Sequence, residues 1–237
     1  MDWGIGGLSV YKALRARGST ADVVYFSDSG TTPYGKLARE KLRQRFVEIA
    51  AFFREHGVME VLVACHSASS ALEPGAGSGT ESFIGVRFRS IIPAAVRAVA
   101  RSTVHRVGVI GGMLTIQSGV YEKALAGLGK ELRFCHAQPL SAFVEAGELD
   151  SPGVETEIRE ILGKLAPIDS LLLACTHYPA LAPVFLRVAP ELELLDPGAD
   201  LAESVSEPGS SGFEFFTTGD REGSAQSARS AFGVEIG

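Results

Sequence analysis

The sequence predicts an α/β protein made of two similar doubly wound domains, each built on a parallel sheet. Along the 237 residues, short apolar segments alternate with amphipathic ones, a pattern typical of strands followed by helices. Two of the apolar segments share one design: a buried strand, then Ala-Cys, then the start of a helix. Their cysteines, Cys65 and Cys175, are 110 positions apart, about the size of one domain. Because open α/β sheets bind ligands at the carboxyl ends of their strands, we expect one site in the cleft between the domains.

The composition excludes several classes of protein. Apolar residues make up 46% of the chain, enough for full cores. The net charge of −6 argues against nucleic acid or an anionic membrane as a partner. No apolar run reaches the roughly 18 residues of a membrane span, and no signal peptide begins the chain. The three cysteines include no CxxC pair, so we expect a cytoplasmic protein with reduced thiols.

The first domain is predicted over residues 1–92 and is completed by residues 201–237. It opens with a glycine-rich turn at 4–7 that leads into a helix at 8–16, and such turns present free N–H groups to anions. No strand precedes the turn, so we expect either that the first strand is missing or that the natural start lies upstream. The other elements predicted in this domain are a strand at 22–27, a helix at 37–56, the strand that ends at Cys65, a helix from 68, a mobile loop at 73–80, a strand at 83–86, a Gly/Ser-rich patch at 207–212 and a last strand at 213–217.

The second domain is predicted over residues 93–200, where strands and helices again alternate. Parallel strands joined by right-handed crossovers are the default for this pattern. A short helix at 201–205 is expected to cross back to the first domain. The elements predicted in this domain are helices at 92–101, 115–128, 154–165 and 181–188, a helix or loop at 143–148, and strands at 106–112, 132–135, 168–173 and 192–195.

Cys65 and Cys175 are candidates for acid–base chemistry. A thiol has a pKa near 8.5 in water, and a protonated histidine or a helix N-terminus lowers it. Both cysteines precede predicted helices, and His177 follows Cys175 by two positions. Asp2 lies in a loop that we expect at the same sheet edge as Cys65. Two such groups on opposite sides of one carbon can remove a proton from one face and return it on the other, which inverts a stereocentre.

Other interpretations of the cysteines stay open. Cys135 lies in a predicted strand and is interpreted as a core residue. The other two cysteines, together with His66 and His177, could bind zinc, but no paired ligand motif supports this and we expect no metal. Nucleophilic hydrolysis by a Cys/His/Asp set is a further option, although it would not require a second cysteine.

Six short motifs are spread over nearly the whole chain. They are Asp2-x-Gly4-x-Gly6-Gly7-Leu8-Ser9, Pro33-Tyr34-Gly35, Val63-Ala64-Cys65-x-x-Ala68-Ser69, Thr115-Ile116-x-Ser118-x-x-Tyr121, Cys175-Thr176-His177-Tyr178-Pro179 and Phe216-Thr217-Thr218-Gly219-Asp220. In this order they resemble the cofactor-independent glutamate racemases of the aspartate/glutamate racemase superfamily. The resemblance implies an isomerase that interconverts L- and D-glutamate without pyridoxal phosphate, metal or nucleotide. It also implies a bacterial cytoplasmic enzyme whose D-glutamate enters peptidoglycan and so serves cell wall biogenesis.

The resemblance further implies roles for individual residues. Cys65 and Cys175 transfer the protons. Asp2 and His177 assist them, and Glu145 is a further helper. The residues expected to contact the amino-acid substrate are Trp3, Pro33, Tyr34, Gly35, His66, Ser67, Thr115 and Thr176.

Several features depart from the family pattern. The family's Asp-Ser-Gly and Cys-Asn-Thr are Asp2-Trp3-Gly4 and Cys65-His66-Ser67 here, its Glu-Pro-Ala is Ile92-Pro93-Ala94, and the strand before Asp2 is absent. Because Trp3 and His66 reshape the pocket, two alternatives stay open. One is a racemase of another small acidic amino acid such as aspartate, and the other is an inactive member that binds a metabolite or a protein. The sequence does not decide the oligomeric state, for which a homodimer is one option.

Overall fold

The computed structural model describes residues 1–72, 79–205 and 208–236. Most of the mobile loop predicted at 73–80 and the start of the Gly/Ser-rich patch predicted at 207–212 lie outside the described residues. The strands within the described residues are β1 (Val23–Ser27), β2 (Glu60–Val63), β3 (Thr80–Phe83), β4 (Val86–Ser90), β5 (Arg106–Gly111), β6 (Glu131–His136), β7 (Ser170–Ala174), β8 (Glu193–Leu195) and β9 (Phe213–Thr217).

The helices alternate with these strands for most of the chain, which confirms the predicted α/β class. They are α1 (Leu8–Ala16), α2 (Arg39–Glu55), α3 (His66–Leu72), α4 (Ile92–Arg101), α5 (Met113–Gln117), α6 (Val120–Leu125), α7 (Gln138–Glu145), α8 (Pro152–Leu165), α9 (Ala182–Val188), α10 (Pro197–Ala202) and α11 (Arg221–Phe232). None of the described helices is both long enough and apolar enough to cross a membrane.

One sheet of the molecule is wholly parallel and has the order β6-β5-β7-β8. Each residue of β7 is buried, which explains why this strand reads as an unbroken apolar segment rather than an alternating one. Helices α7, α8 and α9 cover one side of the sheet through an aliphatic core, and α4 and α6 cover the other. The carboxyl end of β7 therefore sits between packed layers and leads directly to Cys175.

The strands of the other half form two groups, β9-β1 and β2-β4-β3. Met1 and Asp2 lie between these groups. The Asp2 amide donates to the Phe26 carbonyl at 3.1 Å, and the Ala64 amide donates to the Met1 carbonyl at 3.1 Å. These two residues thus occupy the position between the groups, and they join β1 to β2. The pairing of β9 with β1 returns the C-terminal segment to this half. The domain boundary near residue 92 stays a prediction.

The strand predicted at 83–86 is wrong, because that segment forms a turn. β3 and β4 flank it and pair antiparallel, so the sheet is mixed rather than wholly parallel. Ile84 and Gly85 take φ values of +40° and +86°, a left-handed conformation that reverses the chain in two residues.

The helix predicted at 115–128 is interrupted at Gly119. This glycine has φ +65°, which ends α5 and allows α6 to start in a new direction. The helix predicted at 201–205 begins earlier, at Pro197, because the Asp196 carboxylate caps it by accepting from the Gly198 amide at 2.8 Å.

Helix α10 packs where it was expected, against the first half. Leu201 shares a buried cluster with Val10 and Leu14 of α1. The buried Asp200 forms an ion pair with Arg101 at the end of α4. These contacts tie the two halves together through α10.

Candidate active site

The carboxyl ends of β2 and β7 open on one cavity of about 520 Å³. Cys65 follows β2 and Cys175 follows β7, and both cysteines line it. The cavity wall also includes the other residues singled out from the sequence except Thr115. Thr115 is buried behind Ser67, and their hydroxyl oxygens are 3.0 Å apart. The structure therefore brings the predicted set to one place, while their individual roles stay predictions.

Sequence reasoning missed part of the wall. Gln138 and Ser141 on α7, Gly112 after β5 and Lys36 after the Pro33-Tyr34-Gly35 motif also line the cavity. Gln138 sits two residues beyond β6, so the rule that ligands bind at strand ends carries the signal that could have found it. Lys36 is exposed, and it is the one Lys or Arg in the wall as the described residues define it.

Cys175 is the first member of a hydrogen-bonded chain. Its Sγ is 3.6 Å from His177 Nδ1, and His177 Nε2 is 2.5 Å from Glu145 Oε1. Burial opposes a charge on His177, but the hydrogen bonds and negative charges of Cys175 and Glu145 outweigh burial and raise the pKa of His177 well above its ordinary value. A protonated His177 therefore presents a positive charge to Cys175 Sγ.

Glu145 ends α7 and is held from two sides. Besides His177, it accepts a hydrogen bond from the Ile5 amide at 3.4 Å. Burial acts to raise the pKa of Glu145, yet the hydrogen bond and positive charge of His177 lower it below the ordinary value overall. Glu145 is therefore an ionised anchor that fixes both the orientation and the charge of His177.

Asp2 is the second buried carboxylate of the site. It accepts hydrogen bonds from the Gly7 amide at 2.5 Å, from the Trp3 amide at 2.8 Å and from the Thr176 hydroxyl at 2.8 Å. This is the acceptor pattern of an ionised carboxylate. The predicted role of the glycine-rich turn in binding an anion thus has a specific form here, since the anion is the chain's own Asp2.

The turn needs glycine for close approach rather than for an unusual φ. A Cβ on Gly6 would lie 2.8 Å from His177 Nδ1, and a Cβ on Gly7 would lie 2.8 Å from the Tyr25 hydroxyl. Real Cβ atoms do not sit so close to such atoms. Glycine at position 6 lets the turn pack directly against Thr176 and His177 of the other half, and glycine at position 7 lets it pack against Tyr25 and Asp2.

Cys65 has surroundings unlike those of Cys175. It is buried between β2 and α3, and the Asp2 carboxylate has the largest charge effect on it. Burial first, and then the negative charge of Asp2, raise the pKa of the Cys65 thiol well above its ordinary value. At neutral pH Cys65 is therefore a protonated thiol, whereas Cys175 has a protonated imidazole beside it.

The wall on the side of the first half is fixed by further hydrogen bonds. The Tyr34 hydroxyl donates to Asp28 at 2.7 Å, and the Trp3 indole N–H donates to the Thr31 carbonyl at 3.1 Å. Since the polar atoms of these side chains are engaged there, Tyr34 and Trp3 offer ring surface rather than free donors to the cavity.

No cluster of three or more His, Cys, Asp or Glu side chains within the described ranges has a metal-binding arrangement. Cys135 lies on β6, half-buried and outside the cavity wall. Its place in the sheet agrees with its interpretation as a structural residue.

The chain matches one protein family and is similar in sequence and structure to known proteins. Residues 9–205 match the family described as Asp/Glu/Hydantoin racemase. A glutamate racemase from Aquifex pyrophilus is 34% identical over 92% of this chain and 86% of its own length. One from Streptococcus pneumoniae serotype 19F is 30% identical over 87% of this chain and 78% of its own. The crystal structure of the Thermus thermophilus glutamate racemase in complex with beta-chloro-D-alanine superposes with a TM-score of 0.83 and 30% identity, over 100% of this chain and 92% of that one.

The family match and the fold define an isomerase of the racemase class, and the cavity at the strand ends is its candidate active site. The chain belongs to the Asp/Glu/hydantoin racemase family. It is an amino-acid racemase of the cofactor-independent type, similar in sequence and structure to glutamate racemases.

Proposed function

We propose that this racemase interconverts L- and D-glutamate by proton transfer between two cysteines. The observation that carries the proposal is the pair of thiols, one from each sheet, which line one cavity in opposite electrostatic surroundings. Such surroundings supply a base and an acid at the same time. The names of the similar proteins favour glutamate as the substrate.

In one direction the Cys175 thiolate takes the proton from the α-carbon. The electron pair of that C–H bond is delocalised into the neighbouring carboxylate. Cys65 then gives its thiol proton to the opposite face of the carbon, and the stereocentre is inverted. The two cysteines end with exchanged protonation states, so the reverse reaction starts from a Cys65 thiolate and a Cys175 thiol.

Acid–base groups alone are not sufficient for this reaction. A positioned acid or base contributes about 10²–10⁴-fold, and the rest must come from donors aimed at the carboxylate as charge develops there. The backbone N–H groups near Gly35, Ser67 and Thr176 are the proposed donors. Cys65 is buried and Cys175 is half-buried, and a bound substrate that displaces water from the cavity strengthens each of these interactions.

Lys36 supports an acidic substrate. The other charged wall residues that the structure describes are Asp2, Glu145 and a protonated His177, and the two carboxylates are already engaged. Lys36 is the one available cation of the described wall with which a second carboxylate of the substrate can pair near the cavity mouth. This favours glutamate or aspartate over neutral amino acids, and the indole of Trp3 is the feature that favours the shorter aspartate.

The proposed biological role follows from the product. D-Glutamate made here would supply peptidoglycan precursors in the bacterial cytoplasm and so contribute to cell wall biogenesis and cell shape. A homodimer stays a prediction, checked by sedimentation of the purified protein.

The test is substrate-dependent exchange of the α-hydrogen in D₂O, followed by NMR together with chiral analysis of the product. We expect exchange and inversion with glutamate. Exchange with aspartate instead would assign the alternative substrate, and no exchange with any amino acid would leave an inactive binding member of the family.

The same assay tests the two thiols. Cys65→Ser and Cys175→Ser should each slow inversion by at least about 10²-fold, because a serine hydroxyl is a far weaker acid than a thiol and is not ionised to a base near neutral pH. Cys135→Ser is the matched control and should keep full activity, since Cys135 is outside the cavity wall. Full activity in either site variant would refute the two-thiol mechanism.

A further inference from the structure

A buried hydrogen bond connects the cavity to the second half of the molecule beside Cys65. His66 Nδ1 is 2.5 Å from the Tyr121 hydroxyl oxygen. His66 begins α3 and Tyr121 lies on α6, 55 positions later in the chain. Both side chains are almost completely buried, at 2% and 1% exposure, but His66 lines the cavity and Tyr121 does not. The proposed mechanism gives neither residue a task.

The direction of this hydrogen bond follows from the partners of each atom. Among the described residues, His66 is the sole hydrogen-bond partner of the Tyr121 hydroxyl. If His66 Nδ1 carried the proton, the buried phenolic hydrogen would have no acceptor, which costs about 1–3 kcal/mol. Tyr121 is therefore the donor, and Nδ1 of His66 is the acceptor.

This direction fixes the rest of the imidazole. A neutral histidine carries its proton on one ring nitrogen only, so the ring with an accepting Nδ1 is protonated on Nε2. Burial also lowers the pKa of His66 to about 3, which keeps the ring neutral at working pH. Nε2 has no hydrogen-bond partner among the described residues, and it is not among their fully enclosed unpaired polar atoms. Its N–H group therefore opens on the cavity.

We infer that Tyr121 is a positioning residue that holds His66 in the Nε2–H tautomer, so that His66 donates a hydrogen bond from the wall beside Cys65 to a carboxylate oxygen of the amino-acid substrate. The inference rests on the proposed function for the identity of that ligand. A donor suits this place, since it stabilises the carboxylate as this group takes up negative charge from the α-carbon.

The tautomer has a second consequence for stereochemistry. A His66 ring with its lone pair toward the cavity would be a base next to Cys65 and could compete for the α-proton. With Nε2 protonated, the cavity side of the ring has no lone pair to accept a proton. Proton transfer on this face is thereby reserved for the cysteine.

The first experiment observes the tautomer directly and needs no substrate. Long-range ¹H–¹⁵N spectra of the ¹⁵N-histidine-labelled protein should show His66 protonated on Nε2 alone. In Tyr121→Phe, which keeps the ring and removes the hydroxyl, we expect a mixture of tautomers. Signals from an Nδ1–H ring in the unaltered protein would overturn the inference.

The second experiment measures kinetics with glutamate. Tyr121→Phe should raise KM about 3- to 10-fold with a smaller change in kcat, as expected for one lost neutral hydrogen bond. The same substitution should have no further effect on KM in a His66→Leu background, because Tyr121 acts through His66. Tyr11→Phe is the control, since Tyr11 is on α1 and outside the cavity wall. An additive effect of Tyr121→Phe and His66→Leu on KM would refute the role of Tyr121.

These outcomes separate the inference from the proposed function. If the unaltered protein exchanges no α-hydrogen, the proposed function fails, and the tautomer spectra still decide whether Tyr121 holds His66. If exchange is normal but the spectra show the other tautomer, the proposed function stands and the inference fails.

Discussion

The two cysteines show how one residue type acquires two characters from its neighbours. Cys175 is beside a His177 whose positive charge is maintained by Glu145, and Cys65 is beside the negative Asp2. One arrangement places a positive charge beside the sulfur, and the other places a negative charge beside a buried sulfur. The difference arises within a few ångströms from the neighbouring charges and from the deeper burial of Cys65, since both residues occupy the same position after a strand.

Glu145→Gln tests this at the residue scale. The amide cannot stabilise the imidazolium, so the pKa of His177, now raised well above its ordinary value, should fall toward that value. The proposed mechanism uses a protonated His177 beside Cys175, so we expect activity to be lost as pH rises through the pKa of His177. The alkaline limb of the pH–rate profile should therefore move to lower pH, with kcat reduced about 10-fold.

The control for this variant is Glu148→Gln. Glu148 is exposed just beyond α7 and outside the cavity wall, so its substitution should leave the profile unchanged. An alkaline limb that stays in place in Glu145→Gln would show that Glu145 does not govern the charge of His177.

The element that matters most is the glycine-rich turn before α1. It supplies N–H groups to both buried carboxylates, from Gly7 to Asp2 and from Ile5 to Glu145. It also lies against His177 and Thr176 of the other half. One turn therefore positions helpers for both cysteines.

Gly6→Ala should disrupt this element. The added Cβ would lie 2.8 Å from His177 Nδ1, and relief of such crowding costs about 1–3 kcal/mol. We expect a lower Tm by several degrees and a loss of activity larger than the loss of stability explains, measured by calorimetry and by the exchange assay.

Gly127→Ala provides the comparison. Gly127 lies in a short 3₁₀ turn after α6, where a Cβ would meet no atom within 4 Å, so Tm should be unchanged or slightly higher. Equal effects of the two substitutions would mean that close packing at Gly6 is not what the turn requires.

At the scale of the whole molecule, the net charge of −6 repels an acidic substrate, and Lys36 is the local exception. Lys36→Glu should raise KM for glutamate about 3- to 10-fold at low salt, with less change in kcat, because a cation at a cavity mouth raises the local concentration of anions. The increase should shrink as ionic strength rises.

Lys41→Glu makes the same change of charge on α2, away from the cavity wall. It should leave KM nearly unaffected. If the two variants behave alike, net charge rather than the position of Lys36 determines substrate capture.

Much of this molecule could be predicted from its sequence, for physical reasons that individual segments make clear. β7 is apolar because the sheet is covered on both faces, and its strand end identified Cys175. β3 was missed because Thr80-Glu81-Ser82-Phe83 is half-exposed and has little apolar pattern. α11 was missed as well, since its sequence is mostly small and polar, and the Asp220 cap and Gly233 that bound it were the available signals.

Some residues of the candidate site could likewise be predicted from the sequence, and others could not. The strand-end cysteines and the motif residues could be identified from short local patterns and a resemblance. The hydrogen bond between His66 and Tyr121 could not, because it depends on which helices meet in the folded chain. Contacts between residues 55 positions apart leave no periodic trace in the chain.

The placement of Met1 and Asp2 between β1 and β2 has a mechanical consequence. The Met1-Asp2 segment, which joins β1 to β2, also carries the carboxylate whose negative charge acts on Cys65. Any widening of the gap between β1 and β2 would move the negative charge of Asp2 away from the Cys65 sulfur and lower the pKa of the Cys65 thiol. Met1 and Asp2 thus determine both how firmly β1 is joined to β2 and how strongly Cys65 holds its proton. A substitution that changes one of these properties changes the other as well.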